Sequence, residues 1–178
     1  MANTTFSGPV RSKNGFINTG PGAVKALTLA TDLTVADHAG RLITMDPAGT
    51  PTAITIPSII STADAAVAGA NDPNNASTIG TTFEILFIDN FTGTIKTANT
   101  ADKFVGAVTL GITASTAGKQ FQVATNNNEV NLYGEAGTAT TGGLKGSIIK
   151  FTAIAANLYA VEGQLLAAGV LATPFDNQ

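Results

Sequence analysis

The sequence contains no cysteine and no tryptophan, only one histidine, and few charged residues. Without cysteine the chain can form no disulfide framework, no thiolate metal site and no cysteine nucleophile. Charged residues are 12% of the chain, against roughly 25% in an average globular protein. The surface must therefore be polar through threonine, serine and asparagine side chains. Such a surface suits a β protein that sits among like neighbours better than a lone monomer kept apart by charge repulsion.

The distribution of charge argues against a nucleic-acid partner, and the lack of long apolar runs argues against a membrane. The net charge is −3 and the isoelectric point is about 4.9, and the nine lysines and arginines are scattered without a run. Non-specific nucleic-acid binding needs a basic patch, so we expect no nucleic-acid partner. No stretch approaches the roughly 20 apolar residues of a membrane helix. The N-terminus lacks the apolar core of a signal peptide, so we expect a soluble product made in a cytoplasm.

Alternating apolar and polar residues predict strands along most of the chain. In residues 33–57, the segments 41–46 and 52–57 both alternate with period 2, and Asp46-Pro47-Ala48-Gly49-Thr50-Pro51 between them is rich in turn residues. We therefore expect an antiparallel hairpin here, with a loop longer than the tightest turns. Segments 119–124 with 129–133, and 147–153 with 158–163, predict a second and a third hairpin.

Strands recur about every ten residues with turn signals between them. The most apolar segment, 82–89, predicts a central strand buried over most of its length. We expect an all-β fold, an antiparallel β-sandwich or jelly roll, and the lack of alternating strands and helices excludes Rossmann and TIM-barrel architectures.

Two segments fall outside this pattern. Residues 1–22 hold many Gly, Pro and Asn residues and few apolar anchors, which predicts an extended N-terminal arm ahead of a single domain at 23–178. The arm is either a frayed terminus or a segment that docks on a neighbour, and its spaced Phe6 and Phe16 favour docking. Residues 58–80 predict an insertion loop with up to two helical turns, a length common in contact or functional loops.

The sequence offers no convincing catalytic or metal site. His38 follows Asp37, but adjacent strand residues point to opposite faces, and a metal would need further ligands that the chain lacks. Glu84 is the one acid on an apolar strand, where an ion-paired residue on the solvent side explains it better than catalysis. The glycine-rich segment 134–146 lacks the Gly-Lys-Ser/Thr and following helix of a phosphate loop. We expect no enzyme, no cofactor and no metal.

Several short motifs resemble those of small virion proteins of tailed bacteriophages. The shared pattern reads LT-x-x-D-x-G-K, then T-x-x-LP, then G-x-x-F. It is carried by residues 33–41, 53–57 and 80–85, with an opening at 6–16 and an ending at 162–166 and 172–175 that also fit. His38 and Arg41 stand where Ser and Lys are commoner, and the insertion at 59–80 has no counterpart.

The resemblance implies a capsid decoration (cement) protein, a structural virion protein bound to the exterior of the assembled head. Its partners would be the major capsid protein and further copies of itself, as a homotrimer. The residues expected to contact the capsid or another subunit are Phe6, Pro9, Val10, Arg11, Phe16, Pro174 and Phe175. The alternative is a receptor- or glycan-binding module of a head or tail fibre, which would need an exposed aromatic platform.

Overall fold

The computed structural model describes residues 23–47, 52–60, 78–115 and 117–178. They form an all-β fold with one short helix. The elements in chain order are β1 (Val24–Leu27), β2 (Thr31–Asp32), α1 (Val35–His38), β3 (Leu42–Met45), β4 (Thr52–Ile56), β5 (Thr82–Phe87), β6 (Thr92–Thr97), β7 (Lys103–Ile112), β8 (Gly118–Gln122), β9 (Glu129–Tyr133), β10 (Ile148–Ala155), β11 (Leu158–Ala167) and β12 (Phe175–Asp176).

The strands form two sheets that share one core. The seven-stranded sheet has the order β1-β3-β5-β10-β11-β7-β8, and the five-stranded sheet has the order β12-β9-β6-β4-β2. One cluster of buried apolar side chains draws on both sheets. In the first sheet Ile43, Ile85 and Ile149 are aligned across three strands, and in the second Ile54 and Ile95 are aligned. All five of these side chains are fully buried.

The first six strands alternate between the two sheets, which corrects the predicted antiparallel arrangement. Strands β1, β3 and β5 pair in parallel in one sheet, while β2, β4 and β6 pair in parallel in the other. Parallel neighbours need a crossover between them, and here each crossover is a strand of the opposite sheet. Both sheets are mixed, because β10 pairs antiparallel with its two neighbours in the first sheet and β9 does so in the second.

Two of the three predicted hairpins are wrong for the same physical reason. Strands β3 and β4 lie in different sheets, and so do β8 and β9. Period-2 alternation shows only that one face of each strand is buried. That condition holds equally when two successive strands face each other across a core. The third hairpin is confirmed, since β10 and β11 pair antiparallel.

Strand β5 occupies an interior position of its sheet, between β3 and β10. Its burial alternates, however: Phe83, Ile85 and Phe87 are fully buried, whereas Glu84 and Leu86 are only partly covered on the outer face. The predicted central position is therefore confirmed. The predicted burial over most of the strand is wrong, because the outer face of this sheet has no second layer over β5 among the described residues.

Candidate binding surface

The residues expected to contact a capsid or another subunit fall into two groups. Phe6, Pro9, Val10, Arg11 and Phe16 belong to the predicted arm and lie outside the described residues. Most of the predicted insertion, including its possible helical turns, lies outside them as well.

Pro174 and Phe175 lie at the edge of the five-stranded sheet, beside β9. The carbonyl of Pro174 accepts a hydrogen bond of 2.7 Å from the Asn131 N–H, and Phe175 is aligned with Val130. Phe175 belongs to the core and is 6% exposed. Both side chains are thus buried in their own chain, where they attach the end of the chain to the sheet. The contact expected of them stays a prediction.

Among the described residues, the outer face of the seven-stranded sheet is partly exposed over β5, β10 and β11. Across β5, β10 and β11 it carries the charged row, which consists of Glu84, Lys150 and Glu162 in register. Leu86 and Ile148 form the adjacent aligned pair. A depression of about 320 Å³ lies over the charged row and Ile148. This face therefore combines aliphatic side chains with one strip of charge.

The charged row has an excess of negative charge. The Lys150 Nζ donates a hydrogen bond of 2.8 Å to the Glu162 Oε1, and this bond raises the pKa of the Lys150 ammonium. Glu84 adds a second carboxylate beside the same lysine. Such exposed pairs contribute little to stability, because water and salt screen them. The row is thus better suited to orienting a charged partner than to holding the fold together.

A groove of about 430 Å³ lies at one end of the five-stranded sheet. Asp32, Thr55 and Lys96 line it and are aligned on three neighbouring strands. The amide Nε2 of Gln178 closes one side by donating to the Thr97 carbonyl at 3.0 Å. One carboxylate and one ammonium among threonine and glutamine side chains can contact polar groups, but they make no nucleophile–base pair.

His38 ends a single helical turn ahead of β3, where a polar corner was predicted. The Thr34 side chain caps this turn by accepting from the Asp37 N–H, and the Thr34 N–H donates to His38 Nδ1 at 3.0 Å. His38 is 5% exposed, and its Nε2 has no hydrogen-bond partner. Burial lowers the pKa of His38. Only an unprotonated Nδ1 can accept the Thr34 N–H, so the ring serves the fold as a neutral group.

Asp102 and Tyr159 hold the segment that leads into the insertion. The Asp102 Oδ2 accepts from the Ile59 N–H at 3.1 Å, and the Tyr159 hydroxyl donates to the Pro57 carbonyl at 2.7 Å. Residues Ile60 and Thr78 then join the two ends of the insertion by reciprocal hydrogen bonds of 2.8 Å. Two buried side chains from the seven-stranded side of the core thus fix where the insertion leaves the domain.

The Asp102 carboxyl is fully buried, and its Oδ1 has no hydrogen-bond partner. Burial raises the pKa of Asp102, and the hydrogen bond from Ile59 only partly opposes this shift. Burial raises the pKa of the Tyr159 phenol, and the nearby Asp102 carboxyl adds to this shift. A folded-state pKa above the unfolded value means that the folded state favours the protonated acid. Its contribution to stability is therefore present at low pH and is lost as the pH rises from about 4 through the raised pKa.

We expect Asp102→Asn to remove this pH dependence. The free energy of unfolding of the natural chain should fall relative to that of the variant, by up to about 1.4 kcal/mol per pH unit above pH 4. The unpaired amide of the variant does not titrate, so it changes the free energy of unfolding by the same amount at every pH. The difference in pH slope between the two proteins therefore reports on Asp102. Urea unfolding followed by circular dichroism between pH 4 and pH 8 measures it. Parallel curves for the two proteins would contradict the assignment.

Within the part of the chain that the structure describes, no three His, Cys, Asp or Glu side chains come together as a possible metal site. No described helix is long and apolar enough to span a membrane. Tyr133 is the most exposed aromatic side chain of the described residues, at 41%, and its hydroxyl contacts Glu135. A glycan platform in this part of the chain would have to be built on that single ring.

The structural role of Asp102 was not predicted from the sequence. The position of Glu84 on the outer face was predicted correctly. Asp102 follows Asn99-Thr100-Ala101 between two strands, and a polar turn of that kind is usually exposed. Its burial results from the approach of residue 59, which lies 43 positions away. No local signal carries that information.

The chain was compared with known proteins at three levels. No protein-family model, no curated protein and no solved structure matches it.

Proposed function

We propose that this chain is a structural virion protein of a tailed bacteriophage, a capsid decoration protein that binds the assembled head and stabilises the contacts between capsomers. The motif resemblance along residues 6–16, 33–41, 53–57, 80–85, 162–166 and 172–175 suggests the family. The finer architecture proposed with it is a β-sandwich that carries an extended arm at residues 1–22. Such a protein stabilises the capsid through surface contacts that are repeated over many copies.

One observation supports the proposal: on the outer face of the seven-stranded sheet, partly exposed aliphatic side chains lie next to a single row of charge. Leu86 and Ile148 are only partly buried there, beside the charged row. A surface with aliphatic side chains at its centre and few charges is typical of the inner part of a protein–protein interface. We place the capsid contact on this face, with the arm as a second point of attachment.

The proposal is tested with phage heads that lack the protein. Purified protein added to such heads should co-sediment with them and restore their resistance to heat and to chelators. We expect Leu86→Glu to reduce the occupancy about tenfold or more, because it places an unpaired carboxylate at the centre of the contact. Thr94→Glu is the matched control, since Thr94 lies on the five-stranded sheet and is also only partly buried.

Deletion of residues 1–20 separates the arm from the sheet face. The truncated protein should fold, yet bind the heads more weakly than the full chain. Heads that are equally resistant with and without the protein would contradict the cement role. Binding of the isolated protein to a glycan array, without binding to heads, would favour a receptor- or glycan-binding module of a fibre instead.

A further inference from the structure

Among the described residues, the outer edge of β8 has no partner strand. Strand β8 pairs with β7 on one side only and ends the seven-stranded sheet. Just outside the strand, Ile112 N–H donates to the Ala117 carbonyl and Val123 N–H donates to the Gly106 carbonyl. Because backbone groups in an antiparallel pair point alternately towards and away from the partner, Lys119 and Phe121 face β7 with their backbone groups.

The backbone groups of Gly118, Gln120 and Gln122 therefore point away from the sheet. These three residues are exposed, and no described residue pairs with them on that side. Strand β8 contains no proline, and its pairing with β7 runs without a register shift. Natural proteins commonly block a strand edge with a proline, a bulge or a charged side chain. Of these, β8 carries only Lys119, whose Nζ lies over the Phe121 ring of the same strand. The edge is therefore competent to accept another strand.

The side chains next to this edge lie on the inner side of the sheet. Phe121 is aligned with the buried Val108, and Phe121 and Val123 pack against the core while remaining partly exposed. The Lys119 Nζ lies 4.8 Å from the centre of the Phe121 ring. A strand added beyond β8 would cover this partly open strip of apolar surface.

We propose that the occupant of this edge is β8 of a second copy of the chain, paired antiparallel about Gln120. In that register Gln120 faces its own counterpart, and Gly118 faces Gln122 of the other copy, so all three outward-pointing residues exchange backbone hydrogen bonds. Lys119 then faces Phe121 of the other copy, which repeats between copies the cation–ring contact already present within one chain.

The sequence of β8 selects this register over its neighbours. Sliding the strands by two residues in one direction places Lys119 opposite Lys119, a repulsive pair. Sliding them in the other direction pairs Gly118 with Ala124, which lies beyond the end of the strand. Pairing about Gln120 uses the whole strand and brings no like charges together. The result is a two-fold interface, in contrast to the trimer implied by the family resemblance.

The first test compares self-association of the full chain and two variants by sedimentation velocity. Gln120→Pro removes an outward-pointing N–H and leaves every hydrogen bond between β7 and β8 in place, so the variant should fold. We expect it to raise the Kd of self-association about tenfold or more. Gln120→Thr keeps the N–H and should associate like the natural chain. A natural chain that is monomeric at high concentration, or an oligomer that Gln120→Pro leaves unchanged, would overturn the proposal.

The second test reads the register directly by cross-linking. The chain has no cysteine, so a single introduced thiol reports on one position. In the proposed pairing the two Cα atoms of residue 120 lie about 5.5 Å apart, within the range of a disulfide. Mild oxidation should therefore link Gln120→Cys into a covalent dimer and leave Gln122→Cys largely monomeric.

Equal cross-linking of both cysteine variants, or a dimer from Gln122→Cys alone, would overturn this register. Both tests use the isolated protein without phage heads. A failure to dimerise is therefore distinguishable from a failure of the proposed capsid function.

Discussion

Replacing Gly134 by alanine should destabilise the protein by about 3 kcal/mol or more, one of the largest effects expected of a single added methyl group. A Cβ built on Gly134 would lie 2.5 Å from the carbonyl oxygens of Gly143 and Phe91 and 2.7 Å from the Phe91 nitrogen. All three are backbone atoms, so no side chain can rotate away.

The contacts around Gly134 explain why the backbone cannot yield cheaply. The Phe91 N–H donates to the Gly143 carbonyl at 2.7 Å, and the Gly134 N–H donates to the Thr92 hydroxyl at 3.1 Å. These bonds hold the glycine-rich segment after β9 against the start of β6. Moving the chain apart to admit a methyl group would break them.

Gly111→Ala is the matched control. The atom nearest to a Cβ at Gly111 is the Leu166 Cδ2 at 3.9 Å, an ordinary contact with a side chain. We expect the free energy of unfolding of this variant to lie within about 1 kcal/mol of that of the natural protein. Urea denaturation of both variants gives the comparison. Similar small losses of stability in the two variants would show that the backbones at Phe91, Gly134 and Gly143 do not approach as closely as described.

Replacing Phe87 by alanine should lower the free energy of unfolding by about 3–5 kcal/mol. Phe87 is fully buried near the end of β5, and its ring centre lies 4.8 Å from that of Phe91. Phe91 immediately precedes β6, so this ring pair packs across the connection from one sheet to the other. The deletion would leave a cavity and remove the aromatic contact as well.

Differential scanning calorimetry measures this loss as a fall in Tm of about 10 °C or more. Ile88→Ala is the control from the next position in the chain, where the side chain is 39% exposed, and it should lower Tm only slightly. A small effect of Phe87→Ala would contradict a single core shared by the two sheets.

The strands themselves could be predicted from the sequence, but their partners could not. Ile43 and Met45 alternate with partly exposed residues on β3, and Ile54 and Ile56 do so on β4. That pattern correctly predicts two half-buried strands. The pattern does not show whether the two strands lie side by side in one sheet or face each other in two sheets. That choice depends on strands far away in the chain.

The connection at residues 46–51 shows why the turn signals were misleading. Asp, Pro and Gly favour a change of chain direction. A chain that crosses the core to the other sheet must change direction, as a chain that forms a hairpin must. Both kinds of connection use the same residue types. At residues 156–157 the connection is shorter, and Asn157 has a positive φ of 58°. A connection this short leaves a hairpin as the only geometry, and there the prediction succeeds.

The candidate binding surface was predictable only in part. An outward-facing Glu84 follows from its position on an alternating strand. The charged row does not, because it requires the register of β5, β10 and β11. The open edge of β8 is equally invisible in the sequence, since a strand reveals that it lies at an edge only once the order of the sheet is known.

A cryo-electron microscopy map of the mature particle tests the central claim most directly. We expect density for this two-sheet domain on the exterior of the phage head, with the outer face of the seven-stranded sheet and residues 1–22 against the capsid. A map that places the domain in a tail fibre, or that contains no copies of it on the head, would contradict the account.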